Sequence, residues 1–376
     1  MTPRQRMLAA YRGEPVDTVP VAPEFWYYVP ARLLGVDMIR FEREVPHWQA
    51  LQQTFRHYGT DGWGVVGPSI PNPDARWRSD WIDLGGGRFE SRGSVETAFG
   101  TLTSRQQYDR VEPSWAVERP IKDFERDWPA YKAATLGLVE QADWTGAQRA
   151  LDAVGEDFLL EVGLGSTFFD YIATGREGGL EQGICDLLEH EAFFDELHAV
   201  YLDYMRRLTR AAFTHTTAEA CFVGCCWSCM SLISPGLWRR WELPVIRAVA
   251  DEAHRCGKLL HVHLHGKCRD VLVDMAACGA DCICPFERPP GGDIADLAEV
   301  RRVLADRVTV NGNVHTVETL IRGTPADVRR EVEEIFRQWG PDKRRLILGT
   351  GDQVGAETPD ENIRAMIDAG RRLGRA

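Results

Sequence analysis

The stretch from Lys258 to Cys268 reads Lys-Leu-Leu-His-Val-His-Leu-His-Gly-Lys-Cys. Side chains of an extended strand alternate between its two faces, so His261, His263 and His265 share one face and Leu260, Val262 and Leu264 the other. Neutral imidazole nitrogens are common metal ligands, and a His-x-His pair at a strand end can chelate one ion. The competing reading is three histidines hydrogen-bonded inside a polar lumen. A second chemical candidate follows the last apolar run, where Leu346-Ile347-Leu348 leads into Gly349-Thr350-Gly351-Asp352. The glycines let the backbone turn sharply and present Asp352 at the strand end. Together His263, His265 and Asp352 make a two-histidine, one-carboxylate metal set with open positions, suited to Zn²⁺ as a Lewis acid and admitting Fe²⁺ or Mn²⁺. Glu287, in Cys284-Pro-Phe-Glu-Arg-Pro-Pro290, is an extra ligand or general base, or else the ion-pair partner of Arg288. His261 orients a ligand or sits alone in the lumen. Asn313 and His315 follow another strand and face substrate or fill a turn. Glu24 and Glu161 lie where inward-facing carboxylates would serve acid–base chemistry.

Eight short apolar or β-branched runs can position these groups: Val19 to Pro23, Gly62 to Val66, Phe158 to Gly163, Glu219 to Val223, Leu259 to Leu264, Asp281 to Cys284, Val308 to Val310 and Leu346 to Leu348. From the third onward, helical stretches separate them. Ser234-Pro235 opens a helix that Gly257 closes, with Pro244 kinking or splitting it. Thr324-Pro325 opens another, with Val328, Val332, Ile335, Phe336 and Trp339 on one face and Gly340 past its end. Thr358, Pro359 and Glu361 read as a capping box for the last helix. Strands alternating with helices imply a parallel sheet, and eight of them an α/β (β/α)8 barrel with its site at the C-terminal strand ends. A doubly wound open sheet is the alternative, but no Gly-x-Gly-x-x-Gly follows a strand and opens a helix. Residues 1–376 are expected to form a single domain, with about 1–75 a helical extension plus first strand that helps cover the barrel mouth. Arg76 to Trp115 reads as short strands and turns, with a hairpin around Gly85 to Gly87.

The chain of 376 residues is 44% hydrophobic with a formal charge of −12. That balance opposes nucleic-acid binding, which needs a basic face, and points to small molecules or protein partners. No run approaches the length of a membrane span, and Met1 to Val16 lacks the apolar core of a signal peptide. A cytoplasmic protein is expected. The ten cysteines crowd into Cys221 to Cys284 apart from Cys185, a pattern read as free thiols, including those of Cys225-Cys226-Trp-Ser-Cys229. The aromatics Phe25 to Tyr28, Trp63, Phe168, Phe169 and Tyr171 line a pocket for a flat substrate or pack at a lid.

His263-Leu-His265-Gly266-Lys267, Cys278-Gly279-Ala280-Asp281, Asn311-Gly312-Asn313-Val314, Gly323-Thr324-Pro325 and Thr358-Pro-Asp-Glu-Asn362-Ile363 together resemble the uroporphyrinogen decarboxylase-like superfamily. Leu232-Ile-Ser-Pro235 and Pro120-Ile-Lys-Asp123 also look like its landmarks. The resemblance implies a TIM barrel. Its porphyrinogen branch holds substrate carboxylates with an N-terminal arginine motif, whereas Val19 to Tyr28 here lacks those arginines, which counts against a porphyrinogen. The corrinoid-dependent methyltransferase branch holds zinc with His-x-Cys and a later Cys. On that alignment His263 stands at the histidine, His265 at the first cysteine and Asp352 at the second. The resemblance therefore implies a metal-dependent methyltransferase with a corrinoid protein as partner and zinc as the first-choice ion, acting on a small organic substrate. A homodimer is left open. A metal-assisted decarboxylase or lyase on a small organic acid is the alternative, and a binding subunit of a larger methyltransferase complex a third.

Overall fold

Parallel strands buried on both faces carry nearly continuous apolar sequence, and each of the eight apolar runs overlaps a strand. The computed structural model describes residues 1–304 and 307–375. Among the described residues the strands are β1 (Val21–Ala22), β2 (Trp63–Val66), β3 (Arg76–Gly85), β4 (Arg88–Thr97), β5 (Gly100–Tyr108), β6 (Trp115–Glu118), β7 (Leu159–Ser166), β8 (Ala220–Cys225), β9 (Leu259–Leu264), β10 (Cys282–Pro285), β11 (Thr309–Val314) and β12 (Leu346–Thr350). Eight of them form one parallel sheet in the order β1-β12-β11-β10-β9-β8-β7-β2. This is a curled α/β sheet of the TIM-barrel kind. Side chains bridge the seam between β1 and β2: Asp61 Oδ2 accepts the Val21 N–H at 2.9 Å and the Thr60 hydroxyl donates to the Val21 carbonyl. Arg6 pairs with Asp61 behind them.

Helices cover the outside of the sheet. In Pro325–Trp339 the expected face of Val328, Val332, Ile335, Phe336 and Trp339 is buried, and Thr324 with Asp327 completes a capping box. The helix opened by Ser234 is not split at Pro244. A π-helical turn, Trp238–Glu242, absorbs the irregularity before Leu243–Arg255 continues. The last helix, Asp360–Gly374, lacks the expected capping box, because no side chain caps its first turn and Thr358 Oγ1 is buried without a partner.

The N-terminal extension is divided between the two ends of the barrel. Its first helix, Pro3–Arg12, carries Met7, Leu8, Ala10 and Tyr11 into the barrel, against the end opposite the mouth. Thr309, which begins β11, donates to the Ala10 carbonyl at 2.6 Å, and Arg345, just before β12, donates to the Tyr11 carbonyl at 3.1 Å. Arg4 pairs with Glu156 and Glu219, which precede β7 and β8. The helix plugs the N-terminal strand ends, where Glu156 and Glu219 meet its basic side chains and Thr309 and Arg345 meet its last carbonyls. Tyr28–Leu34 lies instead at the mouth, where Arg32 donates to the carbonyls of Ala356 and Thr358.

Strands β3 to β6 form a separate antiparallel sheet inserted after β2. The expected hairpin is present: Gly86 and Gly87 take φ of 63° and 78° between paired Gly85 and Arg88, as a tight two-residue turn requires. All ten cysteines are free thiols. Among the described residues no helix is long and apolar enough to cross a membrane.

Candidate functional site

The parallel register sets the inward face of β9 beside that of β10, with His261 opposite Cys282 and His263 opposite Cys284. His261 is fully buried. Its Nδ1 lies 2.9 Å from Glu161 Oε2 and 3.0 Å from the Tyr11 hydroxyl, while Nε2 is 3.1 Å from Cys284 Sγ. Trp63 and Phe222 pack edge-on to the ring with centroids 4.7 and 5.3 Å away. This histidine is therefore held deep in the lumen, linked toward the mouth by Cys284 and by Phe222, which packs on both His261 and His263. Glu161 is pushed up from the usual carboxyl range by burial, with His261 opposing the shift.

One step toward the mouth, His263 Nδ1 lies 3.3 Å from the same Cys284 sulfur. Burial, opposed by the charge of Asp352 and aided by the neighbouring histidines, holds His263 down at about 4, so its ring is neutral at physiological pH. Glu24 follows β1 and completes a buried group of donor atoms with His263 and Cys284, all within 4.8 Å of one another. Trp26 Nε1 donates to one Glu24 oxygen. Burial and the charge of Asp352 raise Glu24 to about 8. Burial likewise lifts the Cys284 thiol well above its ordinary range.

At the mouth itself His265 Nε2 donates to Asp352 Oδ2 at 2.9 Å, and His265 Nδ1 lies 3.4 Å from Glu287 Oε2. Donor atoms of His265, Glu287 and Asp352 form a second group within 4.8 Å of one another. The turn that places His265 requires Gly266, whose φ is 82° and whose N–H donates to Glu287 Oε2 at 2.5 Å. Phe286, at φ 54°, strains the backbone just before Glu287 and turns that carboxyl inward. The bonded Asp352 raises His265 to about 9. Burial works against Asp352 ionising, but the hydrogen bond and charge of His265 outweigh it and keep the carboxyl below its usual range. Glu287 is raised by burial.

Of the set expected from sequence, His265 and Asp352 thus meet directly, with Glu287 as the third member, and His263 turns to a neighbouring group with Glu24 and Cys284. The rings of His263 and His265 have centroids 6.0 Å apart, so the two groups adjoin. Arg288 does not occupy Glu287: it pairs with Glu331 at 2.9 Å. Asn313 is fully buried and holds backbone, whereas His315 holds backbone while lining the cavity beside Glu287. Asn313 Nδ2 donates to the Phe286 carbonyl at 2.8 Å, and His315 Nδ1 accepts the N–H groups of Val317 and Glu318. Phe168, Phe169 and Tyr171 are buried outside the barrel, where Phe168 packs on Tyr201 and Trp241. Trp26, stacked on His47, and Trp63 do lie near the lumen. Sequence reading missed Cys284 as a site residue, although the alternation Cys282-Ile-Cys284 carries the same period-two signal as the histidines beside it.

A cavity of about 400 Å³ lined by Glu287, Arg288, His315, Arg322 and Gly351 opens beside the outer group. A larger one, about 570 Å³, lies around Trp144, Arg149 and His215, away from these donors.

Residues 152–373 match the family model described as uroporphyrinogen decarboxylase (URO-D). The chain is 32% identical over 108 residues to a methylcobamide:CoM methyltransferase MtaA of Methanosarcina barkeri, covering 29% of each chain. It is 30% identical over 139 residues to a methylated-thiol–coenzyme M methyltransferase of Methanosarcina mazei, covering 37% of this chain and 34% of that one. These alignments span about a third of the relatives' length. A solved methyltransferase from Methanosarcina mazei superposes with a TM-score of 0.62 at 18% identity, covering 99% of both chains, a likeness of fold.

Proposed function

The chain belongs to the uroporphyrinogen decarboxylase family, and from that premise we propose that it is a metal-dependent methyltransferase, moving a methyl group between a small organic substrate or corrinoid and a thiol or corrinoid acceptor. The observation that carries this reading is the mouth group of His265, Glu287 and Asp352, converging from β9, β10 and β12 with donor atoms within 4.8 Å. Methyltransferase names among the relatives support the reaction class.

The residues fit a divalent ion. One imidazole and two carboxylates are a hard-to-borderline donor set for which zinc is the first choice, with iron or manganese compatible. His265, Glu287 and Asp352 would hold the ion, with His263 beside them. When bound, such an ion supplies Lewis acidity that lowers the pKa of a thiol or polarises a leaving heteroatom. The chain's own groups do the rest. Glu287, accepting from the Gly266 N–H, is the base placed to take the thiol proton on its carboxylate oxygen. Asp352 fixes the His265 ring through Nε2. Trp26, Trp63 and Phe222 wall the lumen with apolar surface that keeps water from the reacting groups. The open mouth would admit a corrinoid carried on a separate protein, and a reducing cytoplasm suits the free thiols.

A second reading, a lyase acting on a small organic acid, is favoured by one observation: Glu24, raised to about 8, holds a proton at neutral pH that could be delivered to a carbanion. The test is to mix the zinc-loaded chain with methylcobalamin and 2-mercaptoethanesulfonate. Methyl transfer moves the methyl carbon to sulfur and leaves the electron pair on cobalt, changing the cobalt absorption. An unchanged spectrum, together with release of CO₂ from aromatic carboxylic acids, would replace methyl transfer with the lyase.

A further inference from the structure

The mouth group leaves a second set of donors unaccounted for. Glu24, His263 and Cys284 are 5%, 6% and 1% exposed, yet each offers a ligand atom to the same point in the barrel, within 4.8 Å of the others. Hydrophobic packing does not explain a carboxyl, an imidazole and a thiol gathered in one buried spot, because burying polar groups is costly unless they find partners. The partners present are few. Trp26 Nε1 takes one Glu24 oxygen, and the Cys284 sulfur lies between His261 and His263 at 3.1 and 3.3 Å.

We propose that Glu24, His263 and Cys284 form a second, inner metal position, which takes a zinc-class divalent ion and makes the mouth a two-ion centre. The geometry suits it. Zinc bonds to imidazole nitrogen and thiolate sulfur, near 2.0 and 2.3 Å, put the two ligand atoms about 3.5 Å apart in a tetrahedron, close to the observed 3.3 Å between His263 Nδ1 and Cys284 Sγ. The register fixes that edge, since His263 and Cys284 are direct neighbours across β9 and β10. The donor chemistry suits it too. A thiolate beside an imidazole selects zinc-like ions over magnesium or calcium, which prefer all-oxygen shells. One carboxylate and one thiolate neutralise a dication, so the loaded centre adds no net charge to the lumen. Behind it, the His261 imidazole and Glu161 form the hydrogen-bonded backing that orients a ligand such as Cys284.

The inner position deepens the metal-dependent reading above and rests on it only for the outer ion. Its test is a titration of chelator-stripped protein with Co²⁺, reading ions bound per chain and the near-ultraviolet charge-transfer absorption that thiolate-to-cobalt bonding produces. The expected result is two ions per chain with the thiolate band present. Cys284→Ser should bind one ion without the band, Glu24→Gln should also lose the inner ion, and Asp352→Ala should bind one ion with the band retained. Thermal unfolding of each variant checks that the fold persists, and the isosteric Glu24→Gln keeps the test valid if Cys284→Ser unfolds. One bound ion, no band, and loss of that ion in Asp352→Ala would overturn the inner position and leave the outer reading standing. One ion with a band indifferent to Asp352 would remove the outer ion and keep the inner. A band that survives Cys284→Ser, or no cobalt uptake at all, would overturn the proposal.

Discussion

His265 Nε2 and Asp352 Oδ2 meet at 2.9 Å although the two residues stand 87 positions apart. They come from β9 and β12, which are not neighbours in the sheet. Only a curled sheet, whose strand ends converge on a common axis, brings them together. The pair is electrostatically matched, with the histidine raised and the carboxyl lowered.

Replacing Asp352 with Asn removes the charge and keeps the shape. In the metal-free protein the His265 ring, held at about 9 by Asp352, should then titrate at least one unit lower. Metal affinity should fall by roughly 10- to 100-fold or more. A histidine-resolved NMR titration reads the first effect and a competitive chelator assay the second. An unmoved His265 titration would show that the pair does not form in solution.

Tyr11 tests whether the deep network is structural. Its hydroxyl sits 3.0 Å from His261 Nδ1, at the end of the barrel opposite the metal donors. Tyr11→Phe leaves buried polar groups short of one partner and should cost about 1–3 kcal/mol, read from the shift of the urea midpoint. Bound metal per chain should be unchanged. A variant that keeps full stability but loses metal would reverse the roles assigned to the two ends of the lumen.

Outside the barrel, Ser228 Oγ lies 2.8 Å from Asp170 Oδ1 and 2.9 Å from Glu242 Oε2. A hydroxyl has one hydrogen, so both contacts can be hydrogen bonds only if a carboxyl carries a proton. Burial raises Asp170 to about 6 and Glu242 to about 7. The folded state therefore holds protons that the unfolded chain, with carboxyls near 4, has released. Stability from this group is fully present below about pH 4 and is lost as pH rises through the folded values near 6 and 7. Glu242→Gln cannot ionise and should flatten the fall in unfolding free energy between about pH 4.5 and 7. Denaturation curves for the variant that run parallel to the wild type across that window would show that Glu242 is not the group responsible.

The strand framework was legible because parallel barrel strands are apolar on both faces, so Leu346 to Leu348 or Val308 to Val310 announce themselves without knowledge of their neighbours. The shared face of His261, His263 and His265 followed from period two alone. Partners across strands were not legible, since nothing in the order of residues says that β10 lies beside β9 with Cys284 level with His263. Hence His263 joins a sulfur and Glu24 rather than Asp352. The place of the helix Pro3–Arg12 was not legible for a similar reason: its apolar residues fit either barrel end, and only the pairing of Arg4 with Glu156 and Glu219 decides between them. The Thr358 cap failed because Thr358 Oγ1 is buried without a partner and Pro359 provides no side-chain hydrogen bond.

The most direct measurement compares single-turnover methyl transfer by zinc-loaded wild type and Asp352→Ala, following cobalt absorption and methylated thiol in the same sample. Wild type should convert methylcobalamin and accumulate thioether, while Asp352→Ala should do neither and should retain less metal. Transfer at the wild-type rate by Asp352→Ala would contradict a metal-dependent reaction at the His265–Asp352 mouth.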